Sequence, residues 1–240
     1  MKNLQSTEKV RKTRTTAQSE SGLQIFEEAK TRYAAGVKHY RAGFQLLKQA
    51  AAMRCADARE WLGAAYDYGL GTRPNRRLAF NHYMQASGAR NPNAEYHVGV
   101  FYLEGRGVQK NRRSAISWLR KAAKHGDDTA LHMLGYCYRY GYGVKKNPRK
   151  GFTLEIKAAQ KGVTEAQFSV GVCLSRGEGV PENAREAFKW YLRAARHGHH
   201  DAAYNVAYFY ETGRGVRRNL TRAEEWFTKA KKMRNRAAAR

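Results

Sequence analysis

A chain of 240 residues with 42% hydrophobic and 12% aromatic residues has the material for a core, which excludes wholesale disorder, and four prolines exclude a Pro-rich linker. The 45 Lys and Arg against 20 Asp and Glu leave a net charge of +25 and a pI near 10.2, which favours acidic partners such as nucleic acid, anionic lipid or an acidic protein. Three cysteines, few and odd in number, exclude a disulfide framework.

The chain opens MKNLQSTEKVRKTRTTAQSE, basic and Ser/Thr-rich, without an apolar run of signal-peptide length. Its two acids and few large apolar residues disfavour a transit peptide, so residues 1–21 are expected to form a disordered basic arm. No stretch is long and apolar enough to span a bilayer. A soluble protein of the reducing cytoplasm is expected, with export by a non-classical route as the alternative. Residues 22–57 are predicted to be a degenerate capping hairpin. Leu46–Ala51 matches the second helix of the repeat described next, with Ala50 in the place of Ala86, but Phe26, Glu27 and Lys30 fill its Leu, Gly and Tyr places.

From Ala58 a period of 36 residues runs without slippage. Ala58, Ala94, Ala130, Ala166 and Ala202 begin five copies, and Gly63, Gly99, Gly135 and Gly171 follow, with Ala207 in the last. Tyr66, Tyr102, Tyr138 and Tyr210 share a place held by Leu174 in the fourth copy. Paired glycines come next, as in Gly105 and Gly107, then Val108, Val144, Val180 and Val216. Asn75, Asn111, Asn147, Asn183 and Asn219 follow, and Ala86, Ala122, Ala158, Ala194 and Ala230 close each unit.

Each column has a physical job. Val98, Phe101 and Tyr102 recur at helical spacing on one face of a first helix. Glycine inside a helix costs about 1 kcal/mol against alanine, so its recurrence points to close helix packing. The G-x-G-V segment stops the helix by taking positive φ. The recurring Asn reads as the N-cap of a second helix, which carries Ala115, Ile116, Trp118, Leu119 and Ala122 inward and ends near Gly126, Gly162 or Gly198. A hairpin of this kind cannot bury its apolar face alone. The predicted fold is therefore all-α, a right-handed α-solenoid of stacked helix–turn–helix hairpins. Its copies are placed at 58–93, 94–129, 130–165, 166–201 and 202–233, followed by a basic tail at 234–240.

The pattern A-x-x-x-L-G-x-x-Y-x-x-G-x-G-V, then A-x-x-W and K-A-A, stands here as AEYHVGVFYLEGRGV and SAISWLRKAA. It resembles the Sel-one-like repeat (SLR) family, relatives of the tetratricopeptide repeat with a longer turn inside each hairpin. The resemblance covers residues 58–233 and implies a non-enzymatic scaffold or adaptor that holds a protein or peptide on its concave surface. The chain lacks the cysteines of the family's secreted branch, and all five copies carry Asn where the family commonly has Asp. By the tetratricopeptide pattern, outward positions of the first helices line that groove: Tyr68, Tyr96, His132, Tyr136, Arg139, Tyr140, Phe168, Arg176, Tyr204 and Tyr208. Tyrosine joins rigid apolar area to a hydrogen-bonding tip, which suits peptide recognition. Packing against neighbouring helices is the alternative use of the same rings.

Cations collect in the turn within each hairpin: Arg76 and Arg77; Lys110, Arg112 and Arg113; Lys145, Lys146, Arg149 and Lys150; Arg217, Arg218 and Arg222. Stacking in register is expected to align them as a ridge, broken by PENAR in the fourth copy. An Asp would cap these helices as well as Asn does, so five Asn remove five negative charges at no capping loss. Such a ridge suits an acidic protein or sequence-independent contact with RNA or DNA, without base readout. No zinc-finger, RRM or KH signature is present.

His197, His199 and His200 lack a further Cys or His set at ligand spacing, and His125 shares the helix-end place of His197. Cys137 and Cys173, one period apart on the core face, read as small buried hydrophobes. No G-x-S-x-G, P-loop or Rossmann fingerprint occurs. No catalytic residue, metal site or cofactor is expected. The leading expectation is a scaffold that binds a peptide or protein in the groove while the ridge attracts an acidic partner. Nucleic-acid binding is the alternative, and a bacterial effector or immunity-type protein a further one.

Overall fold

A computed structural model describes residues 20–238, which contain helices and turns and no strand among the described residues. The helices fall into two compact units, 20–125 and 126–238. In the first unit, residues 20–34 form α1, and a short 3-10 turn, Val37–His39, leads into α2 (Tyr40–Ala52). Two hairpins follow: α3 (Ala56–Tyr68) with α4 (Arg76–Ser87), and α5 (Pro92–Glu104) with α6 (Arg112–Lys124). The second unit holds three: α7 (Asp128–Tyr140) with α8 (Pro148–Gln160), α9 (Thr164–Arg176) with α10 (Ala184–Arg196), and α11 (His200–Thr212) with α12 (Leu220–Ala238). Within each unit every helix packs on its chain neighbours.

Every first helix of a repeat stops at the first glycine of its G-x-G. Gly69, Gly105, Gly141, Gly177 and Gly213 all cap in the left-handed region, as Gly105 does at φ 80° with its amide donating to the Phe101 carbonyl at 2.8 Å. The glycine inside four of the five first helices marks close approach of the second. A Cβ on Gly63 would come within 2.6 Å of the Tyr83 ring, and one on Gly171 within 2.6 Å of Tyr191.

The five Asn residues hold the turn at two points. Each side chain accepts a hydrogen bond from the amide three residues on, at 2.9–3.0 Å. Each backbone amide also donates to the carbonyl nine residues earlier, on Tyr66, Tyr102, Tyr138, Leu174 or Tyr210, at 2.7–2.9 Å. One residue thus fixes both where α4, α6, α8, α10 or α12 begins and where its turn lies against the first helix. Asn111→Ala is expected to cost about 1 kcal/mol in urea unfolding, since alanine leaves an α6 amide without its acceptor.

Aromatic packing repeats between the units. In the first, Phe80 stacks on Phe101 at 6.2 Å and meets Tyr102 edge-on at 5.2 Å; in the second, Phe188 does the same with Phe209 and Tyr210 at the same two distances. Tyr83 and Phe101 are fully buried, and burial of one such ring is worth about 1.5–3 kcal/mol. The pair α1 and α2 covers α3 through Phe26 and Tyr33 against Trp61 and through Phe44 against Tyr66.

Three expectations need correction. Most of the arm, residues 1–19, lies outside the described residues, but Glu20 and Ser21 already belong to α1. The expected tail is helical from Arg234 to Ala238, because nothing after Gly215 breaks the helix and Ala, Arg and Lys all favour it. Trp118 is only half-buried, with the Lys121 ammonium 4.6 Å over its ring, and Trp190 with Arg193 and Trp226 with Lys229 repeat that cation–π pair.

Candidate interaction surfaces

In the second unit, i and i+4 tyrosines stand on the outward faces of two first helices: Tyr136 and Tyr140 on α7, Tyr204 and Tyr208 on α11, all exposed. Tyr136 contacts Tyr140 at 4.7 Å between ring centroids and Tyr142 at 5.7 Å, forming a three-ring patch. The first helix beside α7, α9, presents exposed Arg176 and half-buried Phe168. Phe168 stacks on His199 at 4.4 Å and also meets Tyr191, so its ring is largely engaged in packing. Tyr204 meets Phe227 edge-on across a shallow cleft of about 190 Å³ between α11 and α12, lined also by His200, Asp201, Lys231 and Arg234. In the first unit, Tyr68 is 63% exposed, and Tyr96 is half-buried with its ring against His97.

Two expected groove residues point elsewhere. Arg139 is 5% exposed: one guanidinium nitrogen donates to both Glu155 oxygens at 2.9 and 3.2 Å, the other to Glu178 at 3.1 Å and the Tyr140 hydroxyl at 2.8 Å. It supports Tyr140 from beneath instead of facing a ligand. Burial pushes the Glu155 carboxyl up, and the Arg139 guanidinium pulls it back down. His132 is half-buried, its Nδ1 has no hydrogen-bond partner, and burial lowers its pKa to about 4.

All twelve turn cations are exposed. Among the described residues, no carboxylate lies in salt-bridge range of Arg76, Arg77, Lys110, Arg113, Lys145, Lys146, Arg149 or Arg217. Lys150 lies 4.3 Å over the Tyr138 ring, Arg222 5.6 Å over Tyr210, and Arg218 donates to the Glu211 carbonyl. The helix dipole makes this placement unfavourable. An acid in the first turn stabilises a helix by roughly 0.3–1 kcal/mol, and a cation there works against the same field. The first helices follow that rule with Asp57, Glu95, Asp128, Glu165 and Asp201. Of the second helices only α10 does, through Glu186, while α4, α6, α8 and α12 have no acid in the first turn.

Several acids are instead drawn inside. The Glu95 side chain, fully buried, receives Lys121 at 3.0 Å and His125 at 2.7 Å, and Asp67 receives Arg106 at 2.5 Å. The histidines of the 197–200 cluster are likewise engaged: His197 meets Gln167 at 3.1 Å, His199 caps α11 by accepting the Ala202 amide, and His200 meets Asp201 at 3.0 Å. His125 and His197, expected to serve the helix dipole, thus bond to the side chains of the preceding first helix. Among the described residues no three His, Cys, Asp or Glu are grouped to hold a metal. Cys137 and Cys173 are buried, and burial pushes the Cys173 thiol up to about 12. No helix of the described residues is long and apolar enough to cross a membrane.

Comparison with known proteins gives the repeat its relatives. A family model described as Sel1 repeat matches residues 56–88, 92–127, 129–163, 164–199 and 200–235. No curated protein sequence matches the chain. Among solved structures, a Sel1 repeat protein from Oxalobacter formigenes is 27% identical, with a TM-score of 0.76 over 89% of this chain and 96% of that one. The protein c5321, described as a protective antigen of uropathogenic Escherichia coli strains displaying an SLR fold, is also 27% identical, with a TM-score of 0.74. The alignment covers 95% of this chain but 48% of c5321. Immunity protein Pa5087 from Pseudomonas aeruginosa, 18% identical with a TM-score of 0.63 over 89% of this chain and 82% of that one, shares the fold.

Proposed function

The chain belongs to the Sel1 repeat family, an all-α solenoid fold that generally serves protein–protein interaction as a non-enzymatic scaffold, and from that premise we propose that it seats a peptide or protein segment on the outward faces of α7, α9 and α11. The observation that carries this reading is the pair of exposed tyrosine couples, Tyr136 with Tyr140 and Tyr204 with Tyr208, on first helices of one unit. Exposed aromatic rings are costly to leave in water, and tyrosine is enriched where binding energy concentrates. Arg176, exposed on α9, supplies a charge to orient the occupant. The aromatic rings give the contact area, and the cations of the turns raise the encounter rate with an acidic partner.

The test uses a photo-crosslinking amino acid at position 140 or 208 to trap the occupant, followed by titration of that occupant. Tyr136→Ala with Tyr140→Ala should weaken its binding by about tenfold or more while leaving the circular-dichroism spectrum unchanged. Full affinity in the double variant would remove the tyrosine face from the binding site.

A further inference from the structure

We propose that the turn edge of the first unit docks the phosphate backbone of double-stranded nucleic acid without regard to sequence. This inference is independent of the tyrosine faces. It starts from a contrast internal to the chain: the first helices obey the dipole rule with an acid in the first turn, whereas α4, α6, α8 and α12 carry cations there. Neutral Asn caps every second helix although Asp caps equally well and suits the dipole better. Stability alone selects against both choices. An anionic ligand on that edge accounts for them.

The edge is also held in shape. Gly107 is pressed onto the Arg76 carbonyl where no Cβ fits, which seats the turn bearing Lys110 and Arg113 directly on the start of α4 beside Arg77. In the second unit Gly179 sits in the same way on Pro148, and Gly215 on Ala184. In the first unit cations on successive turns therefore keep fixed spacing, and little order remains to be gained on binding, whereas in the second the acidic turn before α10 separates the cations of α8 from those of α12.

The chemistry of the edge selects among anions. The turn segments TRPNRR, QKNRR, KKNPRK and RRNLTR contain no aromatic residue. Single-strand binders stack bases on aromatic rings, and protein interfaces bury aromatic and apolar anchors at their centre. Exposed guanidinium and ammonium groups with no aromatic residue in their own segments match the outside of a duplex, where contact is with phosphate and carries no base readout.

Fluorescence anisotropy of the full chain with short labelled duplexes of two unrelated sequences tests this. Both should bind equally, and more tightly than single strands of the same length. The logarithm of affinity should fall against the logarithm of salt with a slope of about −0.9 per phosphate neutralised. Asn75→Asp with Asn111→Asp keeps both caps and adds two negative charges. It should weaken duplex binding by about tenfold without lowering the thermal midpoint. Replacing Arg76, Arg77, Lys110 and Arg113 with Gln should reduce the magnitude of the salt slope by about 0.9 for every phosphate left unneutralised, again with an unchanged or raised midpoint. Tyr136→Ala with Tyr140→Ala should leave duplex affinity as it was. No binding at low salt overturns the proposal, as does binding that survives both edge variants. Poly-glutamate binding as tightly as duplex would assign the edge to an acidic polypeptide and overturn it too.

Discussion

Arg139→Leu lowers the stability of the second unit by about 3–5 kcal/mol, read as an earlier urea transition of the Trp190 and Trp226 fluorescence. Glu155 is fully buried and its carboxylate is held by the Arg139 guanidinium at 2.9 and 3.2 Å. Without the guanidinium the carboxylate must take up a proton or draw water into the helix interface. Glu178 and the Tyr140 hydroxyl lose their partner in the same step. Glu155→Leu alone is also damaging, though less so, because the buried cation keeps Glu178 as its one remaining carboxylate. The double variant Arg139→Leu with Glu155→Leu recovers most of the loss. The preceding repeat already carries Leu103 and Leu119 in these two places, and apolar residues of similar volume often replace a buried ion pair at no net cost. A double variant as unstable as either single one would show that shape, not stranded charge, sets the cost. Loss of the tyrosine-patch geometry in the double variant would separate the two roles of Arg139, stabilising the interface and supporting Tyr140.

The same site shows where sequence reasoning reached and where it stopped. The Asn caps and the glycine stops were legible because their chemistry is local: an N-cap bonds three residues on, and a left-handed glycine closes its own helix. The helix-interior glycines were legible because a costly residue recurring at one place needs a packing reason, and Tyr83 and Tyr191 supply it. Arg139 was misplaced because the position rule taken from the tetratricopeptide pattern treats every copy alike. The signal lay in neighbouring columns. Glu155 stands where other copies have Tyr83, Leu119, Tyr191 and Phe227, and Gly151 where they have Ala79, Ala115, Ala187 and Ala223. A Cβ on Gly151 would meet the Arg139 stem at 2.7 Å. Three departures in one repeat are one event, a charged pair taken into the interface with the space made for it. Glu95 with His125, and Gln167 with His197, form a second coupled pair of columns, two periods apart, that single-column reading missed. The carboxylates that Arg106 and Arg214 reach on the preceding repeat and its turn, Asp67 and Glu182, lie 39 and 32 residues away and follow only from the stacking.

Acid should act on the two units through groups that folding forces into the wrong charge state. Burial lowers the pKa of His97 and His132 to about 4, with Arg106 and Arg139 respectively adding repulsion and Glu165 opposing it at His132. The unfolded chain takes up each proton near pH 6.5, and the folded chain does not until about pH 4. Their contribution is therefore complete above pH 6.5 and lost as pH falls toward 4, up to about 3 kcal/mol for each ring. Glu60 has the opposite sign. Burial, with Asp57 nearby, raises its carboxyl to about 7, so its contribution is present below pH 4.5 and lost as pH rises to 7. In the first unit these slopes oppose one another over nearly the same window. Glu60→Gln, which keeps an acceptor for the Asn93 amide that bonds it at 3.0 Å, should remove the opposing slope and make that unit acid-labile. In the second unit His199 is also held low by burial, while Asp127 and Glu155 are held high. His132→Phe, which places there the ring that Phe168 supplies in the next repeat, should flatten the loss below pH 6.5. Urea midpoints at pH 7, 6 and 5, followed by Trp61 and Trp118 for one unit and Trp190 and Trp226 for the other, read both effects. If Glu60→Gln leaves the first unit's profile unchanged, the buried carboxyl is ionised in the folded protein and the balance with His97 does not exist.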